Sequence, residues 1–134
     1  MRDPKVEGRR WFAQAEDDLA FARHALNGEF FHQVCFIAHQ CAEKALKAVL
    51  YAEGARSVTG HSAAGLLAKG AAEHPELGSL RDGAAELDLY YIPTRYPNGL
   101  PEGTPRDAFT RAQAERAIDT AEEILEAARA TLGD

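Results

Sequence analysis

Apolar residues recur at intervals of three and four along almost the whole chain. No stretch alternates apolar and polar residues in the way that a half-buried strand does. The clearest helical pattern runs from about Phe30 to Glu53, where apolar side chains fill one wide sector and polar side chains fill another. Because an apolar sector this wide contacts more than one neighbour, we expect this segment to be the central helix of an all-α fold.

Four further helices are predicted around the central one. Asn27 and Gly28 end the first of them, since both residues tolerate the left-handed conformation that stops a helix. Ser62 is a predicted N-cap, and Thr110 with Gln113 fits a capping box. The predicted fold is a single-domain antiparallel up-and-down bundle of about five helices over residues 1–134, with a core over about residues 9–132. The first three of these helices cover about residues 9–26, 62–73 and 76–91, and the last begins near residue 107 or 110 and runs to about residue 132.

The charge balance limits the kind of partner that the chain can bind. Its 134 residues carry a formal net charge of −6, which argues against a bulk electrostatic grip on DNA or RNA. A nucleic acid would therefore need a local basic patch. No apolar run approaches the roughly 18 residues of a membrane span, and the first residues are charged. We therefore expect a cytoplasmic protein that has no membrane partner.

The two cysteines do not predict a disulfide. Cys35 and Cys41 lie six residues apart in one predicted helix, about 9 Å along its axis, and point in different directions. We interpret both as small buried apolar residues. No histidine pair or histidine–cysteine cluster has the spacing of metal ligands, so we expect neither a metal site nor a cofactor.

The polar sector of the central helix offers candidate phosphate ligands. Lys44 and Lys47 are the one pair of lysines on adjacent turns, and they could bind a phosphate or a nucleotide. Two other interpretations stay open. Glu43 and Lys47 have the i, i+4 spacing of a surface ion pair on a solvated face, and the same face could instead form a dimer interface.

The segment "YYIPTRYP" is an unusual loop because it combines tyrosines, prolines and an arginine. Tyr90 and Tyr91 point about 100° apart, so we expect one in the core and the other at a cleft or interface. Pro97 should hold Tyr96 in an extended conformation. Arg95 is therefore held on a short, stiff segment between aromatic rings.

Three uses of Arg95 fit this segment equally well. The guanidinium could bind a phosphate while a tyrosine stacks on a base. It could anchor a protein interface, where arginine and tyrosine are enriched. It could also hold the loop as a structural lid by pairing with an acidic helix residue such as Glu43 or Asp88.

Four features occur in this order along the chain. They are "WFAQAEDDLAFARHAL", "FHQVCFIAHQCAEKALKAVL", a histidine after the second helix, and "LDLYYIPTRYP" before the last helix. Together they resemble the HEPN family (higher eukaryotes and prokaryotes nucleotide-binding domain). The resemblance implies a helical bundle that commonly forms homodimers, and often a small nucleotidyltransferase partner in a toxin–antitoxin module.

The function expected from this resemblance is a nucleotide- or RNA-interacting component of a HEPN–nucleotidyltransferase pair. Its expected nucleotide-binding site combines Lys44, Lys47, Tyr91 and Arg95. One alternative is a non-catalytic homo-oligomeric module for protein interaction. A second alternative is a metal-independent RNase.

Nuclease members of the family carry an arginine followed, after four to six residues, by a histidine. The histidine moves a proton, and the arginine stabilises the charge of the transition state. No histidine follows Arg95 at that spacing. Arg56 and His61 do match, but in the loop after the second helix, and they are weak catalytic candidates. His61 could equally hydrogen-bond the backbone beside the Ser62 cap, so the sequence favours a role without catalysis.

Overall fold

The structure is a computed structural model that describes residues 3–133 of the chain. Within these residues every regular element is helical, which confirms the all-α prediction. Two 3₁₀ helices accompany the α-helices, at Pro75–Leu80 and Pro97–Gly99. The α-helices are α1 Pro4–Asn27, α2 Phe31–Ala52, α3 Ala63–Ala71, α4 Arg81–Asp88, α5 Pro105–Ala108 and α6 Arg111–Leu132.

The three long helices α1, α2 and α6 pack together and surround much of the core. Helix α1 runs antiparallel to α2, because Gly8 near its start lies against Ala48 and Ala52 near the end of α2. It also runs antiparallel to α6, since Arg23 bonds Glu122 while Glu16, seven residues earlier in α1, bonds Arg129, seven residues later in α6. None of the helices in residues 3–133 combines the length and hydrophobicity needed to cross a membrane.

The two predicted N-caps are confirmed. The Ser62 side chain accepts a hydrogen bond from the Gly65 amide at the start of α3. Thr110 and Gln113 form the reciprocal capping box at the start of α6. These bonds satisfy backbone donors that a helix N-terminus would otherwise leave without partners.

Helix α1 ends at Asn27 as predicted, but the left-handed residue that follows it is Glu29, at φ 65°, and not Gly28, at φ −85°.

The predicted fourth helix over residues 76–91 is wrong in extent. The structure divides this region into the 3₁₀ helix Pro75–Leu80 and the short helix α4, which ends three residues before Tyr91. Pro93 explains the early end, because its ring clashes with the carbonyl of a preceding helical turn and disfavours a helical conformation at Ile92. The chain from residue 89 to residue 95 forms consecutive turns instead.

The core contains both cysteines and one of the two adjacent tyrosines. Cys35 and Cys41 are buried and free, as predicted. Burial raises the pKa of each thiol to about 12. Tyr90 is buried with its ring edge-on to Phe109, whereas Tyr91 stays partly exposed. The expectation that one tyrosine packs inward and the other faces outward is therefore confirmed.

Candidate functional site

Arg95 lies among aromatic rings. Its guanidinium carbon is 4.5 Å from the ring centre of Phe36, 4.6 Å from that of Tyr91 and 5.2 Å from that of Tyr96. Its Nε also donates a 2.9 Å hydrogen bond to the Tyr91 carbonyl. Rings and a carbonyl hold this cation in place without neutralising it.

The interpretation that Arg95 pairs with an acidic helix residue is wrong. Within residues 3–133, no carboxylate lies within salt-bridge distance of its guanidinium. The two carboxylates named for this role, Glu43 and Asp88, have other partners. Arg95 thus keeps its charge available.

Local backbone structure holds Arg95 in place. The preceding Thr94 is buried, and its hydroxyl donates to the Tyr90 carbonyl. The following Tyr96 is extended at φ −128° and ψ 131°, as Pro97 predicts. The backbone on both sides of Arg95 is therefore restrained.

His61 lies against the Tyr91 ring, with centroids 5.1 Å apart and planes 17° from parallel. Its Nδ1 lies 3.2 Å from Oε2 of Glu43. The hydrogen-bond partner of His61 is therefore the Glu43 carboxylate and not the backbone beside the Ser62 cap, so that expectation is wrong. With 59% of its side-chain surface exposed, His61 stays open to a ligand.

Glu43 and Lys47 form the predicted i, i+4 ion pair at 2.9 Å, but the pair is buried and not on a solvated surface. Oε2 of Glu43 lies near both Lys47 and His61, while its Oε1 is buried and has no hydrogen-bond partner among residues 3–133. Lys47 also lies 5.6 Å from the Trp11 ring centre. We call Glu43, Lys47, His61 and Tyr91 the His61 cluster.

His39 and Asp88 form a partly buried contact that the sequence did not reveal. His39 is fully buried, and its Nε2 lies 2.9 Å from Oδ1 of Asp88. Asp88 also accepts hydrogen bonds from the Ser62 hydroxyl and from the amides of Ala63 and Ala64. The carboxylate thus joins α2, the end of α4 and the N-terminus of α3, and so positions the loop that carries His61.

The structure brings three of the four predicted phosphate-binding residues into one chain of contacts. Arg95 lies on Tyr91, and Tyr91 reaches Lys47 through His61 and Glu43. Lys44 lies elsewhere, in a 2.8 Å ion pair with Asp18 of α1. Since Lys47 is also paired, Arg95 has the most available charge of the four.

A groove of about 590 Å³ opens beside Arg95, and we call it the Arg95 groove. It lies between α1, α2 and the chain leading into α5. Arg106, a residue not predicted for the site, is its second cation and lies 5.1 Å from the Phe30 ring centre. Burial and the charge of Arg106 lower the pKa of His32 in the same groove. The groove is lined by Phe21, His32, Gln33, Phe36, Ile37, Thr94, Arg95, Pro97, Thr104, Pro105 and Arg106.

A second groove of about 530 Å³, the Trp11 groove, opens between the other ends of α1 and α2. Trp11 and Tyr51 stack here with ring centres 5.2 Å apart. Arg56 lines this groove, whereas His61 is not among its lining residues and lies against the Tyr91 ring. The lining residues are Glu7, Arg10, Trp11, Gln14, Lys44, Tyr51 and Arg56.

Charge is distributed unevenly over the molecule. The Arg95 and Trp11 grooves together are lined by five cations and one carboxylate, namely Arg10, Lys44, Arg56, Arg95 and Arg106 against Glu7. Two of these cations are paired, Arg10 with Glu7 and Lys44 with Asp18. A third groove, between α6 and the 3₁₀ helix Pro75–Leu80, is lined by five carboxylates, namely Glu76, Asp119, Glu122, Glu123 and Glu126. Arg23 and Arg129 each pair with one of them, so this acidic groove stays negative.

Within residues 3–133, no group of three or more acidic, histidine or cysteine side chains is arranged to hold a metal ion.

Solved structures resemble the whole of this fold. The protein TT1696 from Thermus thermophilus is 38% identical and superposes with a TM-score of 0.84, covering 93% of this chain and 98% of that one. ST0689, described as an archaeal HEPN homologue, is 35% identical with a TM-score of 0.77, over 94% and 98% of the two chains. A HEPN domain protein from Thermotoga maritima is 34% identical with a TM-score of 0.72, over 92% and 98%.

Sequence comparison identifies the same family. Human sacsin is 31% identical over 118 residues, which is 85% of this chain but 3% of the length of sacsin. The sequence model of the HEPN domain matches residues 9–131. The helical fold and both comparisons therefore show that the chain belongs to the HEPN domain family.

Proposed function

We propose that the chain binds RNA or nucleotides as one component of a HEPN–nucleotidyltransferase pair of the toxin–antitoxin type. The observation that carries this proposal is Arg95, a guanidinium set among Phe36, Tyr91 and Tyr96 with its charge unneutralised. A guanidinium binds phosphate oxygens through two parallel hydrogen bonds. Neighbouring rings offer a surface on which a base can stack.

The local charge supports a polyanionic ligand. The chain has a formal net charge of −6, and its negative surface would repel such a ligand in general. The Arg95 groove has two arginines and no carboxylate among its lining residues, so it supplies the local basic patch that binding requires. A volume of about 590 Å³ also lies within the range of roughly 300 to 1,000 Å³ that is usual for ligand sites.

The proposed protein partners rest on the family resemblance and on one surface feature. Leu89, Ile92 and Tyr96 are 69%, 45% and 50% exposed, which is unusual for large apolar side chains close together in sequence. We propose that this patch serves the homodimer or the nucleotidyltransferase contact. Analytical ultracentrifugation of an Ile92→Glu variant tests the homodimer, which should dissociate, and a wild-type protein that sediments as a monomer argues against it.

Calorimetry with ATP, GTP and a short single-stranded RNA tests ligand binding. We expect Arg95→Gln to weaken binding by about tenfold or more, because a charge-assisted contact to phosphate contributes about 1.5 to 3 kcal/mol. Arg111→Gln is the matched control, since Arg111 also lies over a ring, that of Phe31, but pairs with Glu29 and lines neither basic groove. Absence of binding at millimolar ligand would contradict the proposal.

A metal-independent RNase is the second candidate function, and one observation favours it. His61 and Arg95 both contact Tyr91, and Glu43 orients His61, so a proton-transfer group and a cation lie near each other although they are far apart in sequence. We expect RNA cleavage, if present, to be lost in His61→Ala and in Arg95→Gln but retained in Arg56→Gln. Cleavage that depends on Arg56 instead would favour the pair identified by sequence spacing.

A further inference from the structure

We propose that the Trp11 groove is a second subsite for the same ligand, so that the α1–α2 face binds an extended single strand and not only one nucleotide. This inference rests on the proposed function, because it assumes that the Arg95 groove binds a nucleotide unit. It adds a subsite at the opposite end of the same pair of helices.

Both grooves open along the α1–α2 pair. At about 100° per residue, Gln33 and Ile37 of the Arg95 groove point within about 40° of Lys44 and Tyr51 of the Trp11 groove. The other two α2 residues of the Arg95 groove, His32 and Phe36, point about 60° to 120° away from them, so this groove also extends around α2 toward Arg95. The α1 residues that line the grooves also share one side of their helix, because they recur at intervals of three, four and seven; they are Glu7, Arg10, Trp11, Gln14 and Phe21. A strand that lies along this face therefore meets the two grooves in succession.

The length of the face suits a short oligonucleotide. Gln33 and Tyr51 are 18 residues apart on α2, which corresponds to roughly 27 Å along the helix axis. Single-strand binding modules cover about 4 to 16 nucleotides, so a span of this length is at the short end of that range. Lys44, in its ion pair with Asp18, lies between the two ends and lines the Trp11 groove.

The chemistry of the Trp11 groove repeats that of the Arg95 groove. Each combines aromatic rings with a cation: Trp11 and Tyr51 accompany the exposed Arg56 in one groove, as Phe36 accompanies Arg95 in the other. Arg10 also lines the Trp11 groove, where it pairs with Glu7. Single strands bind where cations contact phosphates and rings contact bases, and each stacked base contributes about 1 to 3 kcal/mol. Rings interleaved with cations along one face are therefore suited to a polynucleotide.

Fluorescence anisotropy with a labelled uridine dinucleotide and octanucleotide tests this inference. We expect the octanucleotide to bind at least about tenfold more tightly than the dinucleotide, because only the longer strand reaches both grooves. The charge reversal Arg56→Glu should weaken octanucleotide binding by about tenfold and leave dinucleotide binding unchanged. Arg56 is exposed in the loop after α2, so this substitution removes no core contact.

The matched control is Arg81→Glu, which makes the same change in net charge at an exposed arginine of α4 that lines neither basic groove. Equal affinity for the two oligonucleotides, or equal losses in Arg56→Glu and Arg81→Glu, overturns the second subsite but leaves the Arg95 site intact. Failure of the wild type to bind either oligonucleotide overturns the proposed function as well. If Arg56→Glu instead changes the sedimentation of the protein without RNA, a second copy of the chain occupies the groove and the inference is wrong.

Discussion

At the scale of single residues, the environment of Arg95 differs from that of most other arginines in the structure. Arg111 and Arg129 also lie over rings, but each pairs with a carboxylate as well. The planar guanidinium of Arg95 is held near three rings by a hydrogen bond to a carbonyl, so its charge is fixed in position but is not neutralised by a carboxylate. This arrangement lowers the side-chain conformational entropy that Arg95 would lose on binding a phosphate.

The identity of this side chain should matter beyond its charge. We expect Arg95→Lys to lose most of the affinity for RNA, because an ammonium keeps the charge but cannot make two parallel hydrogen bonds or stack on three rings. Binding curves for this variant and for Arg111→Lys separate the two contributions. Wild-type affinity in Arg95→Lys would show that only a diffuse positive charge is needed at this position.

The sequence revealed part of the site because part of it is local. Tyr91 and Arg95 lie four residues apart, and their neighbouring prolines indicate a stiff segment. The bond between Glu43 and His61 joins residues 18 positions apart, and that between His39 and Asp88 joins residues 49 positions apart. Spacing rules cannot foresee such pairs, because they depend on how α2, α3 and α4 pack.

At the scale of elements, two features hold the helices in the arrangement that forms the grooves. Gly8 allows close approach of α1 to α2, and Asp88 joins α4 to the N-terminus of α3. The long helices followed from apolar periodicity, which was strong over four or more turns. The short helix α3 was also predicted to within about two residues. The division of residues 75–88 into a 3₁₀ helix and α4 was not predicted, because Pro75, Gly78 and Pro93 interrupt a pattern that otherwise looks helical.

Gly8→Ala should destabilise the protein although alanine is the better helix former. The added Cβ would lie 2.8 Å from the Ala48 carbonyl oxygen and 2.8 Å from the Ala52 Cβ. Overpacking of this kind costs about 1 to 3 kcal/mol, against a gain of about 1 kcal/mol in helix propensity. We expect a net loss of about 1 kcal/mol in the free energy of unfolding, measured with urea.

Gly78→Ala is the control for this substitution, since a Cβ there meets nothing within 4 Å. Its stability should stay the same or rise slightly. Equal effects of the two substitutions would mean that α1 and α2 do not approach as closely as described.

Asp88→Asn should loosen the joint between α3 and α4. The amide group would present a donor to a position where the Ser62 hydroxyl and two backbone amides already donate. We expect a loss of about 2 kcal/mol in the free energy of unfolding, since a cap and a charged hydrogen-bond acceptor are both weakened. Asp82→Asn, at a fully exposed side chain, should change it by less than about 0.5 kcal/mol.

At the scale of the whole molecule, the two faces of the bundle carry opposite charge. Cations line the two grooves of the α1–α2 face, and carboxylates line the groove beside α6. A protein with a formal net charge of −6 can therefore have a basic face, because the net charge is a sum that does not depend on where the charges lie. The requirement for a local basic patch could be stated from the sequence, but its location required the fold.

Salt should weaken RNA binding, and the steepness of this dependence should report how many phosphates the protein contacts. With five cations along the two grooves, we expect the logarithm of the binding constant to fall linearly with the logarithm of salt concentration, at a slope of about −0.7 per phosphate contacted on a single strand. Arg56→Gln removes one such contact and should reduce the magnitude of this slope by about 0.7. A slope near zero in the wild type would mean that phosphate contacts do not drive binding.

The most direct test of the basic face is to map where RNA binds. The measurement is a titration of ¹⁵N-labelled protein with a uridine octanucleotide, followed by two-dimensional NMR. We expect the Trp11 indole N–H and the backbone amides of Phe36 and Arg95 to shift, while the amides of Glu122 and Glu126 in the acidic groove stay in place. Shifts confined to the acidic groove, or an unchanged spectrum at excess RNA, would contradict binding on the α1–α2 face.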